Sequence, residues 1–208
     1  MLDNAARRML DPGLRRAAVV IDRPWVTPDR LTLVGLALGL GSAAAAAAAW
    51  WWPALALWLA NRVLDGLDGP LARRRTAPKP TGTSQAGGFL DIACDFTVYG
   101  ATVVGLAIGV VRTMDADWLP FMLVLLAYYV NGSAFLAFSS IAERTGRRID
   151  DGRSLSFLGG LAEGTETVLV HSLWLIVPQY AEVIALVWAA VVAVSATQRI
   201  VAGYRALR

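Results

Sequence analysis

The chain has 208 residues, of which 56% are hydrophobic, and its mean hydropathy is +0.52. This composition is too apolar for an ordinary soluble domain and indicates a membrane protein with several spans, leaving little sequence for a separate soluble domain. The formal net charge of +3 does not indicate a nucleic-acid partner, because the basic residues follow the pattern of membrane topology described below.

The N-terminal region places arginines among apolar residues and lacks the compact apolar segment of a cleavable signal peptide. This pattern predicts an amphipathic helix lying in the headgroup zone, with a loose cytoplasmic tail as the alternative. Thr27 and Pro28 then predict the start of the first span, because threonine is a common N-cap and proline favours the first helical position.

Six stretches are apolar and long enough to cross a bilayer, which requires about 20 residues. We therefore predict an all-α fold with six transmembrane helices, forming a single domain over residues 1–208. The predicted spans lie at about 30–49, 51–73, 88–111, 117–140, 155–177 and 180–203.

The distribution of Lys and Arg predicts the orientation, since these residues collect in cytoplasmic loops. Of the 19 basic residues, all but Arg62, which lies inside a span, and Arg112 fall in segments on one side of this topology. Both termini should then be cytoplasmic, as in a bacterial-type inner-membrane protein. Arg74 and Arg75 are interpreted as topology residues. The predicted outer interface carries tryptophans, as expected for indole rings: Trp50, Trp51, Trp52 and Trp118.

Glycines recur in the first and third predicted spans, where they permit close approach of neighbouring helices. We expect them to serve packing within the chain, and a homodimer seam is the alternative use. The residues are Gly35, Gly39, Gly41, Gly100, Gly105 and Gly109.

Four aspartates lie within predicted spans, near their cytoplasmic ends. A charge at membrane depth costs at least about 2.5 kcal/mol, so four uncompensated carboxylates would cost on the order of 10 kcal/mol. The alternative is that nearby arginines pair with them for a purely structural purpose. The four are Asp65, Asp68, Asp91 and Asp95.

The spacing of these aspartates indicates a metal site. Asp65 and Asp68 are three residues apart and Asp91 and Asp95 are four apart, so each pair shares a helix face. The connection between the second and third spans brings the two pairs together. Carboxylates without His or Cys ligands favour Mg²⁺, Mn²⁺ or Ca²⁺, and four of them suit two ions and displacement at phosphorus.

The same residues carry a family resemblance. The pattern Asp65-x2-Asp68-Gly69-x2-Ala72-Arg73, then Gly87-x3-Asp91-x3-Asp95, resembles the signature of the CDP-alcohol phosphotransferases (CDP-alcohol phosphatidyltransferases). The six-span layout is similar to that family over nearly the whole chain. The loop between Arg73 and Gly87 is longer than the family's usual one.

The resemblance implies the chemistry and the roles of the site residues. Members transfer a substituted phosphate from a CDP-linked lipid or alcohol to an acceptor hydroxyl and release CMP. It implies that the four aspartates hold two Mg²⁺ or Mn²⁺ ions, with Asp95 also acting as general base. It further implies that the CDP portion is bound by Asp29, Thr32, Gly69, Arg73 and Ser84, with Thr83 as an alternative to Ser84 because of the longer loop.

A second acidic pair, Glu163 and Glu166, lies in the fifth predicted span. We expect these glutamates to line the cavity that admits the polar acceptor, and the alternative is that they pair with Arg62 or Arg144. Arg144 is itself a candidate for binding a phosphorylated acceptor. His171, farther along the helix, is interpreted as a polar packing residue.

The leading hypothesis is a phosphatidyltransferase of phospholipid biosynthesis that uses CDP-diacylglycerol and a small polar alcohol. The alternative within the family is transfer from CDP-choline or CDP-ethanolamine to diacylglycerol. Two other classes also bury aspartates in membrane spans: the intramembrane prenyltransferases, which bind metal–diphosphate, and non-catalytic ion transporters.

Overall fold

The fold is all-helical throughout the part of the chain that the computed structural model describes, residues 3–76, 85–145 and 162–208. A 3₁₀ turn at Pro178–Tyr180 precedes the last helix. The helices are α1 (Asp3–Ile21), α2 (Pro28–Ala47), α3 (Trp51–Thr76), α4 (Gln85–Met114), α5 (Leu119–Thr145), α6 (Gly164–Ile176) and α7 (Ala181–Leu207).

Four helical segments in these ranges are long and apolar enough to cross a membrane: Pro28–Ala47, Ala86–Met114, Leu119–Thr145 and Pro178–Leu207. The helix α3 has 26 residues but carries Arg62, Asp65 and Asp68 as well as three arginines in its last turn. The helix α6 has only 13 residues, and residues 155–161 of the fifth predicted span lie outside the described residues. An integral membrane protein built from helices is therefore confirmed, while the count of six spans and the interfacial position of α1 remain predictions.

The start of α2 is the one that the sequence predicts. Pro28 is its first residue, and the Thr27 hydroxyl oxygen accepts a hydrogen bond from the backbone N–H of Arg30 at 3.2 Å. An N-cap of this kind is worth about 1 kcal/mol because it satisfies a backbone donor that has no partner within the helix. This N-cap therefore defines the start of α2.

The helices pack into two groups that share one core. In one group α2 contacts both α3 and α4, and in the other α5 contacts α7. Buried aromatic and aliphatic side chains from both groups form a continuous cluster that includes Trp58, Val98, Phe121, Trp174 and Trp188. The ends of α3 and α4 that carry the aspartates are held by this packing.

Two glycines of α4 allow its close approach to α2. A Cβ on Gly105 would collide with the carbonyl of Ala43, and a Cβ on Gly109 would collide with the carbonyl of Ala46. The predicted packing role is thus confirmed at these two positions. At Gly100 a Cβ would meet nothing within 4 Å, so the same prediction was wrong there.

The helix α1 is tied to the C-terminal end of α3 by Asp22. Its carboxylate accepts hydrogen bonds from Arg74 Nε at 2.9 Å and from Arg75 Nη2 at 2.8 Å. The hydrogen bond from Arg75, followed by that from Arg74, holds the pKa of the Asp22 carboxyl below its usual value. Arg74 and Arg75 therefore anchor α1 to the helix that carries the first two aspartates, in addition to any effect on topology.

Replacing Gly105 with alanine should destabilise the protein by about 1–3 kcal/mol, because the added methyl group forces α4 away from the backbone of α2. Gly100→Ala is the matched control and should leave stability unchanged or raise it by up to about 1 kcal/mol, since alanine is the better helix former. Thermal unfolding in detergent micelles measures both. Equal melting temperatures for the two variants would contradict the close contact.

Candidate functional site

Three aspartates from two helices meet at one place in the structure. Asp65 and Asp68 come from α3 and Asp91 from α4, and one carboxylate oxygen of each lies within 4.8 Å of the others. They meet because residues three apart on α3 share a face and that face is turned toward the start of α4. The convergence predicted from the spacing is confirmed for these three residues.

This group fits a divalent metal ion. Three carboxylates so close together repel one another and lie in a half-buried setting, so a cation between them would remove an unfavourable arrangement. Oxygen ligands without nitrogen or sulfur are those that Mg²⁺, Mn²⁺ and Ca²⁺ prefer. Cys94 lies between Asp91 and Asp95 in α4, but it is a buried free thiol and does not belong to the group.

Asp95 stands apart from the group of three. Its Oδ1 accepts a hydrogen bond from Arg62 Nη1 at 2.9 Å, and the same Nη1 lies 3.6 Å from Asp65 Oδ2. The side chain of Arg62 is only 8% exposed. The guanidinium therefore lies between the candidate metal ligand Asp65 and the candidate base Asp95.

Of the predicted nucleotide-binding residues of α2 and α3, Thr32 contacts an aspartate directly. The Thr32 hydroxyl donates to Asp68 Oδ2 at 2.7 Å, which joins the start of α2 to the site. The Arg73 side chain folds back over Gly69, where a Cβ would lie 3.2 Å from Nη1 of the arginine. Asp29 is exposed in the first turn of α2. Ser84 and its alternative, Thr83, lie outside the described residues.

The predicted acceptor residues lie at the ends of α5 and α6. Glu163 precedes the first residue of α6 and Glu166 lies in its first turn, both partly buried, while Arg144 is exposed in the last turn of α5. Of the two arginines predicted as alternative partners of these glutamates, Arg62 and Arg144, Arg62 forms ion pairs with Asp95 and Asp65.

His171 is fully buried in α6, as predicted for a packing residue. Its Nε2 lies 2.9 Å from the Tyr128 hydroxyl, and its ring stacks on Trp58 with the centroids 4.9 Å apart. It joins α6 to α3 and α5 within the core.

No role in the site was assigned from the sequence to Arg62 or to its neighbours Asn61 and Tyr99. The available signal was an arginine inside a predicted span, three residues before Asp65 and thus on the same helix face. Its contact with Asp95 joins residues 33 positions apart, which local spacing does not reveal.

Removing one carboxylate of the group should weaken metal binding. Asp68→Asn is expected to reduce Mn²⁺ affinity by about tenfold or more, since losing even the outer-shell partner of a metal ligand costs that much. Electron paramagnetic resonance of Mn²⁺ added to the purified protein, without a nucleotide donor, measures the effect. Asp115→Asn, at the opposite end of α4, is the matched control; equal affinities for the two variants would contradict a metal site at the three aspartates.

The fold is similar to that of solved enzymes. The phosphatidylinositol phosphate synthase PgsA1 of Mycobacterium tuberculosis, in its structure with CDP-DAG bound, aligns with a TM-score of 0.73 at 21% identity over 92% of this chain and 93% of that one. Its complex with manganese and citrate aligns with a TM-score of 0.72 at 20% identity, covering 92% and 88% of the two chains. At these identities the likeness establishes the fold.

Sequence relatives extend the comparison. The inner membrane protein YnjF of Escherichia coli strain K12 is 38% identical over 214 residues, covering 100% of this chain and 98% of the relative. The archaetidylinositol phosphate synthase of Methanothermobacter thermautotrophicus is 30% identical over 103 residues, about half of each protein. The profile of the CDP-alcohol phosphatidyltransferase family matches residues 25–195, which include all four aspartates. The chain belongs to the CDP-alcohol phosphatidyltransferase family.

Proposed function

We propose that the protein transfers a phosphatidyl group from CDP-diacylglycerol to a small polar alcohol and releases CMP. The observation that carries this proposal is the meeting of Asp65, Asp68 and Asp91 within 4.8 Å, inside the region that matches the family. The donor is proposed from the relatives: a synthase of the same fold has been solved with CDP-DAG bound.

The donor would be held by its charged and polar parts. Arg73 has a guanidinium suited to two phosphate oxygens at once, and Gly69 beside it has no side chain to obstruct a phosphate. Thr32, already bonded to Asp68, and Asp29 would contact the rest of the CDP portion. Ser84 is proposed to complete this set.

The four aspartates would hold two Mg²⁺ or Mn²⁺ ions, with Asp65, Asp68 and Asp91 as ligands and Asp95 also reaching one ion. Such ions neutralise the pyrophosphate and the charge that develops on the departing CMP. The α3 and α4 helices contribute by presenting the carboxylates at one depth, so that the donor phosphates have one place to bind.

The transfer needs one base. The acceptor oxygen forms a bond to the phosphorus of the phosphatidyl group while the bond from that phosphorus to the CMP oxygen breaks. Asp95 would take the proton of the acceptor hydroxyl, because a carboxylate within hydrogen-bond reach is a competent base for this step.

The acceptor would approach from the side of α6. If α3 and α6 run in opposite directions, as alternating spans do, the contact between Trp58 and His171 sets their relative height. Glu166 precedes His171 by five residues and Asp65 follows Trp58 by seven, so both would lie about 7–11 Å from that contact in the same direction. Glu166 is therefore a proposed acceptor residue. Glu163, three residues before it, and Arg144 in the last turn of α5 are proposed with it.

The active site would open to the cytoplasm. This proposal rests on the six-span topology, with both termini inside and the chain forming one domain. The arginines in the last turn of α3 directly follow the two aspartates of that helix, and arginines collect on the cytoplasmic side of membrane proteins, which supports a cytoplasmic site.

Purified protein with Mg²⁺ or Mn²⁺ should release CMP from CDP-diacylglycerol only when a suitable alcohol is present. A panel of polyols, amino alcohols and their phosphates tests the acceptor class. CDP-choline and CDP-ethanolamine with diacylglycerol form the comparison arm. CMP release in that arm alone would overturn the proposed donor, and no release with any donor would overturn the proposed function.

Asp95→Asn should lower the turnover number by at least about 100-fold, because the amide cannot accept the proton of the acceptor hydroxyl. Metal-dependent binding of the donor should change little, since the group of three aspartates is intact. Steady-state CMP release and equilibrium binding of CDP-diacylglycerol separate these effects. Full activity in this variant would exclude Asp95 as the base.

A further inference from the structure

Arg62 connects the group of three aspartates to Asp95, because it contacts both. Its Nη1 donates to Asp95 Oδ1 and to the Tyr99 hydroxyl, each at 2.9 Å, and lies 3.6 Å from Asp65 Oδ2. Its Nε donates to Asn61 Oδ1 at 2.6 Å. One guanidinium therefore contacts a residue of the metal group and the candidate base together.

The guanidinium is fixed from several directions. It lies over the rings of Trp58 and Tyr99, 5.0 Å from each centroid, an arrangement that attracts a cation to the ring face. Asn61, which accepts from Nε, in turn donates to the carbonyl of Gly35 in α2 at 2.8 Å. Because these neighbours determine where Arg62 lies, the oxygen of Asp95 that bonds to it is fixed as well.

We propose that Arg62 is a positioning residue that keeps Asp95 Oδ1 off the metal ions, so that only Oδ2 faces the cations and the acceptor hydroxyl. The proposal rests on the proposed function, in which Asp95 is the base. Without Arg62, the Asp95 carboxylate would rotate freely, and both oxygens would be drawn to the cations bound by its three neighbours. A carboxylate that binds the metal with both oxygens has none left to accept a proton.

A merely structural role for Arg62 is the alternative. A buried cation beside several carboxylates lowers the cost of burying them, whatever the direction in which each carboxylate points. The two roles differ when the charge is kept and the geometry is changed. Lysine keeps the charge but has no planar group to bind Asp95, Asn61 and Tyr99 while stacking on two rings.

The turnover arm of the test compares Arg62→Lys with the wild-type protein. Positioning predicts a fall in kcat of about tenfold or more, with the KM for CDP-diacylglycerol changed by less than about threefold, because misplacing the base by a short distance affects the reaction step. A wild-type kcat in this variant would overturn the proposal. Arg112→Gln, an exposed arginine in the last turn of α4, should retain wild-type kinetics.

The second arm needs no turnover and uses Mn²⁺ alone. Arg62→Gln should tighten Mn²⁺ binding by about tenfold, because the released Oδ1 of Asp95 becomes an additional ligand atom. In an Asp95→Asn background the same substitution should tighten Mn²⁺ binding by less than about threefold, because only the contribution through Asp65, 3.6 Å from Nη1, remains. Unchanged or weaker Mn²⁺ binding in Arg62→Gln, or equal tightening in both backgrounds, would overturn the proposal.

The two arms separate this proposal from the proposed function. If the wild-type protein releases no CMP with any donor, the proposed function fails, and the Mn²⁺ measurements still decide whether Arg62 controls Asp95. If the wild-type protein is active and Arg62→Lys is equally active, the proposed function stands and the positioning role fails.

Discussion

The crowding of several half-buried carboxylates in an apolar helical protein is the constraint on which the rest of this structure depends. One carboxylate oxygen from each of Asp65, Asp68 and Asp91 lies within 4.8 Å of the others, and burial makes uncompensated charge costly. Such a group persists only where cations or donors compensate it. The neighbourhood supplies both, since Thr32 donates to Asp68 and Arg62 pairs with Asp65 and Asp95.

The packing of the helices brings these carboxylates together. The aspartates converge because α3 and α4 both pack on α2, and α4 approaches α2 closely through Gly105 and Gly109. Membrane helices have little hydrophobic drive to associate, so small residues at the contact are needed for tight packing. The same packing brings Thr32 of α2 within hydrogen-bond distance of Asp68 in α3, which links the helix start to the site.

Several features could be predicted from the sequence because they depend on local spacing. The start of α2 at Pro28 and the shared face of Asp65 and Asp68 follow from capping preferences and from helix periodicity. The spacing also predicted that the two aspartate pairs converge, which holds for Asp65, Asp68 and Asp91 but not for Asp95. The number of spans is harder to predict from composition. Charged residues make α3 partly polar, although it packs against the apolar helix α2.

What the sequence could not give depends on how side chains distant in the chain meet. The pairing of Arg62 with Asp95 rather than with a glutamate of α6 is set by the rotation of α3 against α4. The anchoring of α1 by Asp22 on Arg74 and Arg75 likewise joins residues about 50 positions apart. Gly100 shows the same limit, since it belongs to the same run of glycines as Gly105 and yet a Cβ there would meet nothing within 4 Å.

The three aspartates are proposed to share divalent cations. Crystallography of the protein grown with Mn²⁺, with data collected at the manganese absorption edge, would locate them. Shared cations predict anomalous density about 2.0–2.5 Å from carboxylate oxygens of Asp65, Asp68 and Asp91. Aspartates turned to separate sides of the bundle, or anomalous density found only away from them at saturating Mn²⁺, would contradict this proposal.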